Sequence, residues 1–214
     1  MRTFVFAVVV AVAACLMAVP AMAETGTTTC TGTLAPGAYG TVVVPQGAVC
    51  IIEQGPLTIT GGLYVQAGAT FVFGDEGTPN VTATIYEGVH ATDAASVQIH
   101  FATIYGGVNI SGGAGPFGGP FGVTWNTIED SVIHGSVSIQ GYNGFWMGFI
   151  RNTVNGAVKI NNNTLVDPDA NEIVTNTIRG SLQCSGNTPA PQVGDSEGAP
   201  NIVTGHKSGQ CANV

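Results

Sequence analysis

The sequence predicts an all-β fold: a single-stranded parallel β-helix, or β-solenoid, of about seven right-handed coils with disulfide-tied end caps. Three observations carry this expectation. First, the phrase Ile59-Thr60-Gly61-Gly62-Leu63-Tyr64-Val65 returns at 85–91, 104–110, 133–139, 154–160 and 178–184, with a weaker first copy at 38–44. The copies begin about 19 to 29 residues apart, the irregular period of a solenoid whose coils carry loops of unequal length. Second, the fifth and seventh positions are apolar, from Val42 and Val44 to Leu182 and Cys184, while the sixth is mostly polar. That alternation is a strand with one buried face. Third, the third position is Gly in every copy but one (Glu87) and the fourth is always small, which lets the chain bend tightly beneath the coil above.

Taken in order, residues 1–23 read as a secretory signal peptide: Arg2, an apolar run from Phe4 to Val19, then Ala21-Met22-Ala23 before Glu24. The competing reading is a lipobox, Val12-Ala13-Ala14-Cys15, but the apolar run continues past Cys15, so cleavage after Ala23 is expected. The mature protein is then secreted and keeps no membrane span. Residues 24–37 form an N-terminal cap and 38–184 the repeat array. Within the array a second strand follows the phrase, as in Gln66-Ala67-Gly68-Ala69-Thr70-Phe71-Val72, so each coil holds at least two strands. A β-sandwich is the alternative, yet it would not repeat one strand phrase with a fixed Gly. Residues 185–214 lose the pattern, gain Pro189, Pro191 and Pro200, and read as an irregular cap. Cleavage removes Cys15 and leaves Cys30, Cys50, Cys184 and Cys211, an even set that suits an exported chain. Four cysteines allow three pairings, and the local one, Cys30–Cys50 with Cys184–Cys211, is expected because each pair brackets one end of the array. No two of these cysteines stand at zinc-ligand spacing, and neither metal nor cofactor is expected.

The run at 44–50, the Gly-Gly-Leu-Tyr-Val-Gln-Ala-Gly-Ala-Thr stretch at 61–70, Asp93-Ala94-Ala95-Ser96-Val97 and the endings at 180–191, 200–205 and 209–211 resemble a family of small exported β-helix proteins, uncharacterised and frequent in actinobacteria. The resemblance spans essentially the whole mature chain, apart from aromatic insertions near 115–125 and 142–149. It implies secretion and fold, and it brings no catalytic residues.

Thirteen acids face only five bases, one of them in the leader. That balance disfavours nucleic acid and anionic membrane as partners, since both need basic patches. Enzymes on this fold need clustered carboxylates on a strand face. The outward positions of the repeated phrase (the second and sixth) carry no Asp or Glu, so a non-enzymatic scaffold or adhesion protein is the leading expectation. Asp167-Pro168-Asp169-Ala170-Asn171-Glu172 begins like a calcium loop but lacks the required Gly and closing Glu, and reads as a solvated acidic turn. Asp75-Glu76 and Glu129-Asp130 read as surface turns, and the four histidines show no triad context. Tyr64, Tyr86 and Tyr105 form an aromatic patch that cross-strand stacking explains.

Two aromatic segments remain, 116–125 and 142–149, which hold both tryptophans of the chain. Two readings stand side by side: stacking on a carbohydrate or cell-envelope component, or folding over a coil junction as a satellite core. The candidate ligand-binding residues are Trp125, Tyr142, Phe145, Trp146 and Arg151. A β-helix polysaccharide lyase or hydrolase with loop-borne acids is the third reading. It requires two carboxylates, or one with Arg151, to converge in a groove.

Overall fold

The computed structural model describes residues 26–193 and 198–214; the leader, with Cys15 and the Ala23 cleavage site, lies outside them. Among the described residues the chain winds through three long parallel sheets, visited in the order C, A, B, and a two-stranded sheet of Asn143–Gly144 and Thr164–Leu165 lies beside them. Sheet C runs from Gly37–Tyr39 through Leu57–Ile59, Ala83–Ile85, Ala102–Ile104, Val132–Ile133, Thr153–Val154 and Thr177–Ile178 to Ile202–Val203. Sheet A has nine strands, from Thr27–Thr29 to Lys207–Gly209, and takes in the last three residues of every phrase. Sheet B comprises Val49–Ile52, Thr70–Phe73, Ser96–His100, Trp125–Glu129, Trp146–Ile150 and Glu172–Val174.

The parallel β-solenoid expected from the sequence is thus the fold, with one more sheet per coil than the phrase revealed. The recurring heptad is a corner. Its first residue ends a sheet C strand and its last three lie in sheet A, as at Ile133 and Val137–Ile139, which pair in register with Val154 and Val158–Ile160. Sheets A and C also run past residues 38 and 184. Thr27–Thr29 pairs with Thr41–Val43, and Lys207–Gly209 pairs with Leu182–Cys184. These terminal strands are polar, Thr27–Thr29 carrying only threonine and Lys207–Gly209 reading Lys-Ser-Gly. Cys30 bonds Cys50 at one end and Cys184 bonds Cys211 at the other, all four buried.

One column of Val, Ile, Leu and Phe fills the interior, from Val42 and Ile59 to Ile178 and Leu182. Three corner devices hold the coils in stack. At the C-to-A corner, Gly106, Gly135, Gly156 and Gly180 sit so close to the preceding coil that a Cβ would lie 2.4–2.5 Å from a backbone carbonyl oxygen. At the A-to-B corner the chain turns through a left-handed residue in coil after coil, including Gly68, Asp93, Gly112, Gly141, Asn162 and Gly186, with φ between 50° and 67°. At the B-to-C corner that place is taken by Phe101, Asp130, Arg151 and Thr175, with φ between 51° and 59°.

Buried asparagines complete the stack. Asn152, Asn176 and Asn201 each accept the backbone N–H of the preceding coil's corner residue on Oδ1. Each donates Nδ2 to a sheet B carbonyl, at Ile128, Phe149 and Ile173. At the A-to-B corner Asn163 and Asn187 accept the N–H groups of Tyr142 and Asn163 in the same way, and donate Nδ2 to the sheet A carbonyls of Ile139 and Ile160. A corner cannot complete a strand ladder, so the side-chain amide supplies the donor and acceptor that the backbone lacks.

Candidate functional site

The outer face of sheet A is free of acids, as its sequence requires. It carries one ring ladder, Tyr64 stacked on His90 at 5.0 Å, while Tyr86, Tyr105 and His134 form a separate column at 5.0 and 4.7 Å along the C-to-A corner. Chemistry gathers on sheet B instead. Strand alternation places Ser96, Gln98 and His100, then Trp125, Thr127 and Glu129, then Trp146, on its outer face, and the register aligns them in rows. Trp125 stands beside Trp146, Gln98 beside Thr127, and His100 beside Glu129. Sheet B escaped the acid count because its strands carry no fixed phrase.

Most of this face is covered. Gln98, His100, Thr127, Glu129 and Glu172 are buried although they point away from the interior. The insertion at 113–124 folds back over the sheet, where a Cβ on Gly119 would come within 3.3 Å of Thr70 Oγ1. The Trp146 indole lies across Gly148, whose missing side chain makes room for it, and donates Nε1–H to Glu172 at 3.2 Å. A hollow of about 410 Å³ remains, lined by Asp75, Glu76, Gln98, His100, Trp125, Thr127, Glu129 and Trp146. A smaller one of about 190 Å³, lined by Trp125, Phe145, Trp146 and Asp167, adjoins it across the same two indoles.

The acidic pairs expected to be separate surface turns converge. Arg151 follows Ile150 at the B-to-C corner, one coil beyond Asp130, with a left-handed φ of 55°. Its Nε and Nη2 donate to the two Asp130 oxygens at 2.8 and 2.9 Å. Nη2 also meets Glu129 Oε2 at 2.9 Å and Glu76 Oε1 at 2.8 Å, the latter from the loop after Thr70–Phe73. Thr127 Oγ1 donates to Glu129 Oε1, and His100 Nδ1 lies 3.9 Å from Glu129 Oε2. Burial, and then a hydrogen bond shared with Glu76, push the Glu129 carboxyl up to about 7. That same bond and Arg151 hold Glu76 below the usual carboxylate range. Burial also lowers His100. The hydrogen bonds that Asp130 accepts raise the Arg151 guanidinium further, so it is permanently charged.

His100, Glu129 and Asp130 offer ligand atoms within 4.8 Å of one another. The donor set is nevertheless that of an ion-pair network. Arg151 already places a cation on two of the three groups, and a metal would have to compete with the three hydrogen bonds it makes to them. The acidic turn at 167–172 is likewise self-satisfied, with Asp167 Oδ1 accepting the Asp169 N–H at 3.0 Å.

The structure divides the candidate binding residues. Trp125, Phe145 and Trp146 are half-buried and line the groove, and Arg151 braces its acidic wall. Tyr142 does not belong with them. It is fully buried, donates its hydroxyl to Ala95 O at 3.1 Å, and packs in the interior column. Residues 142–149 are therefore not a loop: Asn143–Gly144 and Trp146–Ile150 are strands, and of the two aromatic segments only the one within 112–124 is an insertion. Sequence reasoning missed Glu76, Gln98, His100 and Glu129. The one available signal was the spacing of His100 and Glu129, which matches a coil length.

No match to this chain is found among protein-family models, curated proteins or solved structures. Among the described residues, no helix is long and apolar enough to cross a membrane.

Proposed function

We propose that this protein is a secreted, non-enzymatic β-solenoid of the adhesion type, a rigid stack of coils that carries one carbohydrate-binding groove on sheet B. Its organisation would be the leader at 1–23, caps at 24–37 and 185–214 and the array between them, as in the exported bacterial family that its motifs resemble. The observation that carries the reading is the pair Trp125 and Trp146, in register on neighbouring strands and half-exposed in a groove with polar walls. Neighbouring parallel strands stand about 4.8 Å apart, a spacing comparable to one sugar unit of a polysaccharide, and indole faces are favoured surfaces for pyranose rings. Three buried nitrogens, Gln98 Nε2, His100 Nδ1 and Trp125 Nε1, have no hydrogen-bond partner in the protein, and their residues all line the groove. Such groups tend to be satisfied by a bound molecule or water.

Because both tryptophans of the chain line this groove, intrinsic fluorescence reports on it directly. Titration with an oligosaccharide panel should give a saturable change and no new reducing ends or unsaturated products. Absence of any change across the panel would defeat the proposal. A second reading, glycoside cleavage, is favoured by Glu129, whose carboxyl near 7 sits beside Glu76 in the groove. Product release abolished in Glu129→Gln would select it.

A further inference from the structure

The charge around the two indoles goes further than the identity of the rings, and it rests on the carbohydrate reading. Asp75, Glu76 and Glu129 line the larger hollow and Asp167 lines the smaller. Asp75 and Glu76 are exposed and Asp167 is half-buried, so all three can meet a ligand. No lysine or arginine lines either hollow. The nearest cation, Arg151, is committed to Asp130, Glu129 and Glu76 behind the wall. The platform is thus flanked by carboxylates on both sides.

We infer that the groove selects amino sugars, taking an oligosaccharide of hexosamine units with free, protonated amines. Acids on both flanks of the indole pair would meet ammonium groups on successive units. Gln98 Nε2 and Trp125 Nε1, donors without partners buried in the lining of the hollow, would reach the hydroxyl oxygens only as their side chains turn towards the sugar. An acidic polysaccharide would bring carboxylates against Asp75, Glu76 and Asp167 and is excluded by like-charge repulsion. A cationic peptide satisfies the acids but supplies no polyol for the buried donors and no rings for the indoles. The sugar is therefore the better fit.

The test compares four probes on the mature protein, in mildly acidic buffer at low and raised salt, by tryptophan fluorescence and calorimetry. The probes are β-1,4-linked tetramers of glucosamine and of N-acetylglucosamine, a tetragalacturonate and pentalysine. The glucosamine tetramer should bind at least about tenfold more tightly than its N-acetylated form, and the preference should shrink as salt rises. Tetragalacturonate should give no saturable change. In the double variant Asp75→Asn, Asp167→Asn the preference for the free amine should fall towards unity. Both substitutions keep an oxygen to accept the Gly77 and Asp169 N–H groups, and an unchanged thermal transition verifies the fold. Equal or tighter binding of the N-acetylated tetramer, or saturable binding of tetragalacturonate, overturns the amino-sugar inference and leaves carbohydrate binding standing. Binding of pentalysine alone, or of none of the four, overturns both.

Discussion

Replacing Asn176 tests the claim that side-chain amides hold the coils in stack. Asn176 is buried and makes four hydrogen bonds. Its Oδ1 accepts Asn152 N at 2.9 Å and Asn152 Nδ2 at 3.1 Å, and its Nδ2 donates to Phe149 O at 2.6 Å and Asn201 Oδ1 at 2.8 Å. Two of the partners have a second bond: Asn152 Nδ2 keeps Ile128 O, and Asn201 Oδ1 keeps Asn176 N. In Asn176→Ala the Asn152 N–H is left with no acceptor and Phe149 O loses a short donor. At about 1–3 kcal/mol for each unsatisfied buried group, the loss should be about 3–4 kcal/mol, read from urea unfolding followed by circular dichroism. Asn176→Asp keeps the acceptor but aims a carboxylate oxygen at two other oxygens. At neutral pH it should cost more than Ala. Its folded-state pKa is raised above the unfolded value, so the excess cost is full above the folded pKa. It shrinks as pH falls towards the unfolded value of about 4, where the protonated acid can donate. A loss below about 1 kcal/mol in Asn176→Ala, or an Asp variant as stable as wild type at neutral pH, would refute the reasoning.

Other consequences follow from the same geometry. Gly156→Ala drives a Cβ to 2.5 Å from Gly135 O, and overpacking against backbone should cost about 3 kcal/mol or more in the same unfolding assay, whereas Gly26→Ala, with nothing within 4 Å, should change stability by less than about 0.5 kcal/mol. Reducing or replacing the Cys184–Cys211 bond, which closes a separation of 27 residues, should lower stability by about 3.5 kcal/mol through the entropy of the unfolded chain. Glu129, raised to about 7 chiefly by burial, binds its proton more tightly folded than unfolded; its contribution to stability therefore declines as pH rises from about 4.5 to about 7, and Glu129→Gln should flatten that slope in thermal melts.

The fold was legible because one corner repeats with little freedom. Gly135, Gly156 and Gly180 touch the coil beneath, and Val137, Val158 and Leu182 fill the same interior row. Sheet B was harder to see. All four residues of Thr70–Phe73 are buried, so no alternation marks its outer face, and the insertion at 113–124 breaks its spacing. The asparagine ladder did leave a trace, since Asn152, Asn176 and Asn201 recur at separations of 24 and 25 residues. Half of the site was legible in Trp125, Trp146 and Arg151. The acidic half was not, because Glu76 lies 75 residues from Arg151 and only winding brings the two together. Tyr142 was misplaced for a related reason: an aromatic among glycines looks like a loop tip, but here Gly113 and Gly144 are small to clear a buried ring.

The glycine-stacked corner behaves like the spine of a bound book. From Ile59 to Ile178, three residues separate the end of each sheet C strand from the first interior residue of sheet A, as from Ile104 to Val108 and from Ile178 to Leu182. The other two edges, by contrast, accept extra chain, at 74–82 and 112–124. Both of those edges border sheet B. Insertions that arise by chance can therefore be tolerated only where they overhang that one face, and new specificities in proteins of this plan should accumulate there while the spine stays fixed.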